Sequence, residues 1–385
     1  MTETKIALTN GLLSPDTIKD LFPVKKNYLY FNFAADGPLP VPSRDAMIES
    51  LNESSEIGLI VVPKQVAIYE NVRHELGTLF QSKPENFAFT KNTSEGVLLA
   101  LLAMDIQPEE NYIVASDAFP TTIRMMENNC KGSMRSVKIN APIPLVDQIT
   151  AICDNKTRAI VLDWVHFFTG KLIDVAGIVQ FARERGIFTV IDGIQGAGAL
   201  ELGLDRSGID FFVTAAHKWL LSPQGSGFIY VSPSVWERTR RKSFGWLGYD
   251  WCDFSNFDIQ PQLRPGATVM EYGTRSYFAA VGLYESLKLF NRIGIKNIET
   301  HNQTLRTLFV ENILTLGYET KQSLTVKAAS IIPFRAPDSD PRELLQHLQQ
   351  KNVVLSVRNG YIRSAFHFIN HLEEVQALLE MLKNR

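Results

Sequence analysis

Three runs of apolar residues within residues 187–231 constrain the fold more than any other part of the chain. The runs read IFTVID, DFFVTA and GSGFIYV, and each has the length and composition of a buried strand. Asp192 ends the first run, and His217 and Lys218 follow the second. Because open α/β sheets bind ligands at the carboxyl ends of their strands, a carboxylate and a lysine at these ends predict a functional site there.

The pattern before this stretch supports the same architecture. A strand–helix–strand order repeats through residues 158–214, which favours a mostly parallel sheet with helical crossovers. Asp174 is expected to cap the helix between the first two of these strands. The run GSGFIYV is expected to form the antiparallel member of the sheet.

Composition restricts the partners and the environment of the chain. The 385 residues carry a formal net charge of −2, so no overall field favours nucleic acid or anionic lipid. No run approaches the roughly 18 apolar residues that a membrane helix needs, and MTETKIALTNG lacks the pattern of a signal peptide. The three cysteines form no C-x-x-C pair, which favours a reducing compartment. We therefore expect a cytoplasmic protein that does not bind membranes or nucleic acid.

Two segments, VIDGIQGAGA and AAHKWLLSPQGSGFIYV, are similar to the core of the class V group of fold-type I pyridoxal-5′-phosphate (PLP) enzymes. That group includes cysteine desulfurases, kynureninases, isopenicillin-epimerase-like proteins and small-substrate aminotransferases. The resemblance extends over nearly the whole chain. It implies an α/β fold with a large domain on a mixed, mostly parallel seven-stranded sheet and a smaller α+β C-terminal domain. We place the large domain at residues 28–274 and the small domain at residues 1–27 and 275–385.

The resemblance also implies roles around the cofactor ring. Lys218 would form an imine with the PLP aldehyde and then act as general base at Cα of the amino acid. Asp192 would keep the pyridine nitrogen protonated, because a neighbouring carboxylate favours the charged form. Gln195 would donate an amide N–H to the ring oxygen, and Phe119 would stack on the ring.

The phosphate is expected at the start of the helix in KNTSEGVLLALLAM, with Thr93 as its N-cap. A helix N-terminus offers free backbone N–H groups to an anion. In the pattern that this chain resembles, Thr93, Ser94 and His217 would neutralise and orient the phosphate. Thr274 in the segment EYGT would reach the phosphate of a neighbouring subunit, which implies a homodimer with shared active sites. No metal ion is expected.

The substrate is expected to be a small amino acid. Arg363 matches the arginine that binds the α-carboxylate, for which a planar guanidinium is well suited. Arg358, Asn32 and His166 are further candidates for substrate contact, although His166 also fits a hydrogen-bonded structural histidine. Specificity would come from residues 32–38, 166–168 and 244–259.

The reaction stays open at this level, with transamination ranked first, β-elimination second and epimerisation third. Only NGYI separates Arg358 from Arg363, and no cysteine follows Cys252, which argues against a persulfide-forming desulfurase. A catalytically dead scaffold would be expected to lack Lys218 or Asp192. A dinucleotide-binding enzyme would need G-x-G-x-x-G, and the G-A-G at residues 196–198 lacks the third glycine.

Overall fold

The structure is a computed structural model, and it describes residues 8–9, 11–58, 62–251, 258, 260–337 and 339–384. Its strands are β1 (Leu8–Thr9), β2 (Leu12–Leu13), β3 (Leu29–Tyr30), β4 (Phe87–Thr90), β5 (Asn111–Ala115), β6 (Ser133–Val137), β7 (Thr157–Asp163), β8 (Phe188–Asp192), β9 (Phe211–Ala215), β10 (Gly227–Val231), β11 (Tyr249–Asp250), β12 (Gln262–Leu263), β13 (Glu319–Thr320), β14 (Ile331–Arg335), β15 (Val353–Val354), β16 (Ser356–Arg358) and β17 (Tyr361–Ala365). Its helices are α1 (Pro15–Leu21), α2 (Val41–Ile57), α3 (Val62–Phe80), α4 (Thr93–Met104), α5 (Pro120–Asn129), α6 (Leu145–Ile152), α7 (Val175–Arg183), α8 (Leu204–Ser207), α9 (Val235–Arg238), α10 (Tyr277–Ile293), α11 (Ile295–Thr315), α12 (Pro341–Gln350) and α13 (Leu372–Lys383).

A seven-stranded sheet organises the larger part of the chain, in the order β4-β10-β9-β8-β7-β5-β6. Strand β10 runs antiparallel to both of its neighbours, and the remaining pairs are parallel. The three apolar runs form β8, β9 and β10, so the predicted mixed sheet and its antiparallel member are confirmed. Asp174 caps α7 through a hydrogen bond from the Gly177 N–H, as predicted.

Both faces of this sheet are buried under helices, which explains why its central strands are apolar at almost every position. Alternate residues of β7 enter different cores, with Ala159 and Val161 on one face and Ile160 and Leu162 on the other. A strand that is buried on both faces leaves its functional groups only at its ends. The chemistry of this sheet is therefore confined to its edge.

A second, antiparallel sheet with the order β13-β14-β17-β16 has its own apolar core with α11, α12 and α13. Strand β3 pairs with β15 and so ties the N-terminal region to this second layer. Helix α10 packs on α2 and α3 and joins the two parts. The domain boundaries given above stay predictions. Among the described residues, none of the helices is both long and apolar enough to cross a bilayer.

Candidate active site

Two carboxylates lie side by side at the carboxyl edge of the large sheet. Asp163 ends β7 and Asp192 ends β8, and the two residues are directly paired in register. Both side chains are buried, and burial raises the pKa of each. The charge of Asp192 raises the pKa of Asp163 further, whereas Lys218 counteracts the shift at Asp192. We assign the negative charge of the pair to Asp192 at neutral pH, because that carboxylate has the favourable partner.

Lys218 lies in the connection between β9 and β10 and is 8% exposed. Burial lowers the pKa of its amine to about 8, with Asp192 opposing the shift and Arg363 adding to it. A neutral amine is the nucleophilic form, so this environment activates Lys218 near physiological pH. The backbone of this connection is fixed by Gly37, whose N–H donates to the His217 carbonyl at 2.8 Å. A Cβ atom on Gly37 would lie 2.1 Å from the Lys218 carbonyl oxygen.

A single cavity of about 340 Å³ collects most of the predicted site residues, and its size suits a small ligand. The described residues that line it are Ala34, Ala35, Asn92, Thr93, Ser94, Phe119, Thr121, Ile194, Gln195, Ala215, His217, Lys218, Arg358 and Arg363. Eight of the predicted residues are therefore brought together, and Asp192 adjoins them, since it accepts from the Ile194 N–H and interacts with Lys218. His217 is uncharged at neutral pH, because burial and the nearby Lys218 lower its pKa to about 4.

Helix α4 begins at the cavity, but its N-cap is Asn92 and not Thr93 as predicted. The Asn92 side chain accepts from the Glu95 N–H at 2.9 Å. Thr93 is the first helical residue, and its hydroxyl accepts from the Ala215 N–H at 3.0 Å, which ties the helix to β9. The backbone N–H groups of Thr93 and Ser94 have no intrahelical acceptor, so they are available to an anion.

The orientation of Gln195 is fixed by two neighbours. Its Oε1 accepts from the indole N–H of Trp219 at 2.9 Å, and its Nε2 donates to the Ala34 carbonyl at 3.0 Å. Indole is only a donor, so it determines which end of the amide is the oxygen. An amide nitrogen carries two hydrogens, and the second remains for a ligand in the cavity.

Phe119 and Ile194 bring apolar side chains to the cavity. The Lys218 Nζ atom lies 5.5 Å from the centroid of the Phe119 ring. The backbone N–H of Phe119 donates to Asp163 at 3.0 Å, and Ile194 donates its N–H to Asp192 at 2.9 Å. The two buried acids thus hold the two segments that contribute these apolar side chains.

Two arginines, Arg358 and Arg363, also line the cavity. Arg363 on β17 is 3% exposed and donates through Nη1 to the Phe167 carbonyl at 2.8 Å. Its Nε has no hydrogen-bond partner among the described residues. Burial lowers the pKa of this guanidinium to about 10, and Arg358 adds to the shift. A buried, incompletely satisfied guanidinium is suited to bind an anion, because it otherwise loses hydrogen bonds to water.

The structure does not bring His166 or Asn32 into the cavity lining. His166 Nδ1 accepts from the Thr169 N–H at 3.1 Å, so Nε2 is the donor to the Asp117 carbonyl at 2.7 Å. Burial lowers the pKa of this histidine. Asn32 forms an isolated bridge to Ala365, and its buried Oδ1 has no partner in the described part of the chain.

Thr274 is exposed and lines a different cavity, together with Tyr272 and Ser226. Thr274 does not line the cavity that contains Lys218, and its own cavity is bordered by Lys91 and Glu95 beside the start of α4. Part of the predicted specificity loop 244–259 lies outside the described residues, namely 252–257 and 259.

Several residues of the site were not singled out from the sequence. Asp163 ends an apolar run just as Asp192 does, so the same strand-end pattern could have revealed it. Ile194 lies two residues after Asp192, and Thr121 lies two residues after Phe119. No sequence pattern identifies Trp219 as part of the site, because its hydrogen bond to Gln195 forms only in the folded chain.

The chain is similar to known proteins over nearly its whole length. The chain is 24% identical over 399 residues to a probable cysteine desulfurase of Methanothermobacter thermautotrophicus, covering 96% of this chain and 97% of that protein. It is 22% identical over 371 residues to the uncharacterized aminotransferase YcbU of Bacillus subtilis, covering 95% and 96%. A solved mutant of C-DES with glycine covalently linked to its PLP cofactor superposes with a TM-score of 0.88 at 20% identity, covering 95% of this chain and 99% of that one.

The likeness to solved structures confirms the predicted fold. A family model described as aminotransferase class-V matches residues 60–378, which is most of the chain. This match confirms the family inferred from VIDGIQGAGA and AAHKWLLSPQGSGFIYV. The chain therefore belongs to the aminotransferase class-V family of PLP-dependent enzymes.

Proposed function

We propose that this protein transfers the amino group of an amino acid and that Lys218 is its PLP-linked lysine. The observation that carries the proposal is one cavity holding both the Lys218 amine and the buried guanidinium of Arg363. The amine suits a covalent link to the cofactor aldehyde, and the guanidinium suits the α-carboxylate of an amino acid.

The residues present fit each part of PLP. Thr93 and Ser94 would bind the phosphate through backbone N–H groups and hydroxyls, with His217 as a neutral donor beside them. The ring would lie between Phe119 and Ile194. When bound, PLP withdraws electrons from Cα of the substrate, and the chain supplies binding, orientation and proton transfer.

Asp192 and Gln195 would adjust the electronic state of the ring. The buried carboxylate of Asp192 favours a protonated pyridine nitrogen, because an opposite charge at short range favours the charged form. The free amide hydrogen of Gln195 would stabilise the ring oxygen. Lys218, with a pKa lowered to about 8, would remove the proton from Cα.

Transamination fits the proton donors of the cavity best. It needs one group that removes a proton from Cα and delivers it on the other side of the substrate nitrogen, and Lys218 would suffice for both steps. Loss of a poor β-leaving group needs a further acid, and His217 with a pKa of about 4 carries no extra proton at neutral pH. No cysteine is among the described residues that line the cavity, so a nucleophile for persulfide formation is absent from that lining.

Cleavage of a C–S bond is the second candidate, because a thiolate leaves without an acid. It is supported by the likeness of the fold to C-DES, a cystine C–S lyase. The two reactions give different products: transfer gives a keto acid and the amine form of the cofactor, and C–S cleavage gives a keto acid, free ammonia and the released thiol.

The chain is proposed to act as a homodimer in the cytoplasm, with Thr274 completing the phosphate site of its partner. Support comes from the exposure of Thr274 and from its absence among the described residues that line the cavity containing Lys218. Lys218→Ala and Thr274→Ala chains should each be poorly active alone. Co-refolded, they should regain activity, because one of the two sites then has both residues. Failure of this complementation, or a fully active monomer in light scattering, would contradict the shared site.

The test of the function is a visible spectrum of the PLP-loaded protein while amino acids are added singly. A band that is lost or shifted with particular amino acids supports the proposal, and the products distinguish transfer from elimination. Lys218→Ala should lower turnover by at least about 10²–10⁴-fold, as expected for loss of a general base. Normal turnover in that variant, or a protein that takes up no PLP, would reject the assignment.

A further inference from the structure

Two guanidinium groups enter the cavity from one face of the four-stranded antiparallel sheet β13-β14-β17-β16, called the small sheet below. Strands β16 and β17 pair with Ser356 opposite Arg363 and with Arg358 opposite Tyr361. Directly opposed residues, and residues two apart on a strand, share a sheet face. Arg358 and Arg363 are therefore diagonal neighbours on one face, about 7–8 Å apart at their strand positions. Both line the cavity that contains Lys218.

The two arginines differ in how far they are fixed. Arg363 is buried and anchored to the Phe167 carbonyl, and its Nε is free of protein partners within the described residues. Arg358 is exposed at the cavity mouth, and in the described part of the chain its only hydrogen bond is to the Val357 carbonyl. Arg363 is thus preset for one carboxylate, whereas Arg358 has a guanidinium that a second anion can use.

The described acidic residues near the cavity do not neutralise the positive charge of Arg358. None of the described residues that line the cavity is acidic. Asp163 and Asp192 are buried outside the cavity lining, and their charges act on Lys218. The Asp36 carboxylate interacts with the Gly37 N–H, the Gln224 side chain and Lys218. No described acid pairs with Arg358 in a salt bridge, so its charge is free to select a ligand.

The anions expected in the cavity do not use this charge either. The cofactor phosphate belongs at the N-terminus of α4, on the large-sheet side. The α-carboxylate of the substrate belongs at Arg363, as the family resemblance implies. A second arginine several ångströms away matches a second negative group at the far end of the same substrate.

We infer that the substrate is an amino acid with an acidic side chain, a carboxylate or a sulfonate, and that Arg358 is the residue that selects it. This inference rests on the proposed function and adds the chemical class of the substrate. It does not depend on whether the reaction is transfer or elimination, because Arg358 acts on binding alone.

The experiment compares amino acids that match in shape and differ in charge. The PLP-loaded protein is titrated with L-aspartate against L-asparagine and L-glutamate against L-glutamine, followed by the visible band of the cofactor. We expect the preferred acid to bind on the order of 10–100-fold more tightly than its amide, the range for one charge-assisted contact. Arg358→Met should remove this ratio by weakening only the acid, and Arg358→Lys should restore part of it. Arg342→Met, an exposed arginine on α12, is the matched control.

Each other outcome overturns the inference in a recognisable way. Binding of neutral amino acids without any preference for acids rejects the substrate class and leaves the proposed function intact. Equal weakening of acid and amide in Arg358→Met, or loss of PLP affinity, would mean that Arg358 binds the α-carboxylate or the phosphate. If no amino acid changes the spectrum, the proposed function fails together with the inference.

Discussion

Trp219 donates its indole N–H to the side-chain oxygen of Gln195 across 2.9 Å, and both residues are buried. Trp219 adjoins the lysine in sequence but is not among the described residues that line the cavity. Because the indole cannot accept, it keeps the Gln195 nitrogen turned toward the Ala34 carbonyl. Trp219 thus fixes the orientation of Gln195, which does line the cavity and is proposed to contact the cofactor ring.

Trp219→Phe should loosen this orientation while keeping an aromatic ring in the core. We expect PLP affinity to fall about fivefold, the equivalent of one ordinary hydrogen bond of about 1 kcal/mol. The pH at which the bound cofactor changes colour should also shift. In the double variant with Gln195→Ala, the tryptophan change should have no further effect, because both changes remove one interaction. Additive losses would show that Trp219 acts through packing.

Asp163 and Asp192 should respond differently to neutral replacement. Asp163→Asn keeps acceptors near the N–H of Phe119 and removes a charge that burial and Asp192 already disfavour. We expect activity within about tenfold of wild type, because a protonated acid and an amide differ little here. Asp192→Asn should cost far more, on the order of 10²–10⁴-fold in turnover, since it removes the charge proposed to act on the cofactor ring. Equal effects would place the functional charge on the pair as a whole.

A buried ion network supports the segment that carries Thr274. The Glu271 carboxylate is fully buried and binds both Arg73 and Arg275, and it also accepts from the Phe89 N–H at 3.1 Å. Glu271→Gln should lower the free energy of unfolding by about 3–5 kcal/mol, because it removes the described carboxylate partner of Arg275 and leaves Arg73 with the exposed Glu70 alone. The control is Glu70→Gln, whose side chain is 55% exposed and also pairs with Arg73. That change should cost no more than about 1 kcal/mol in chemical denaturation.

His367, which follows β17, contacts the connection between β9 and β10 that contains Lys218. Its Nε2 donates to the Trp219 carbonyl at 2.8 Å. Burial lowers its pKa to about 3, below the value of about 6.5 expected in the unfolded chain. Between these values the unfolded chain binds a proton that the folded state excludes. Stability from this group is therefore complete above pH 6.5 and declines as the pH falls toward 3.

The matching variant is His367→Gln, which keeps a donor for the Trp219 carbonyl. The pH dependence of its unfolding free energy should be shallower by up to about 1.4 kcal/mol per pH unit between pH 6 and 4. The measurement is urea unfolding followed by fluorescence at several pH values. His74→Gln, at an exposed position, is the control. An unchanged slope in His367→Gln would show that the proton is not excluded.

The strands and the carboxyl-edge site were predictable because buried strands leave a continuous apolar pattern that ends in polar residues. The N-cap of α4 was not predictable in the same way, because Asn92 and Thr93 are both good capping residues. What decides between them is the bond from Ala215 to the Thr93 hydroxyl, across 122 positions of sequence. The same holds for the link between Arg73 and Glu271, 198 positions apart. Local sequence patterns therefore predict the strands and helices. Hydrogen bonds between residues far apart in sequence form only after the sheet has assembled, so local patterns do not predict them.

Gly37 has a consequence for changing the specificity of this enzyme. The loop at residues 32–38 borders the cavity, so it is an obvious target for a mutational library. At position 37, however, any side chain would collide with the carbonyl group of Lys218 and displace the connection that presents the amine. A library that varies Ala34 and Ala35 alters the walls of the cavity, whereas one that includes position 37 mostly yields chains with a misplaced lysine. Substitutions in this loop are therefore expected to be tolerated before Gly37 but not at Gly37, where the loop contacts the backbone of Lys218.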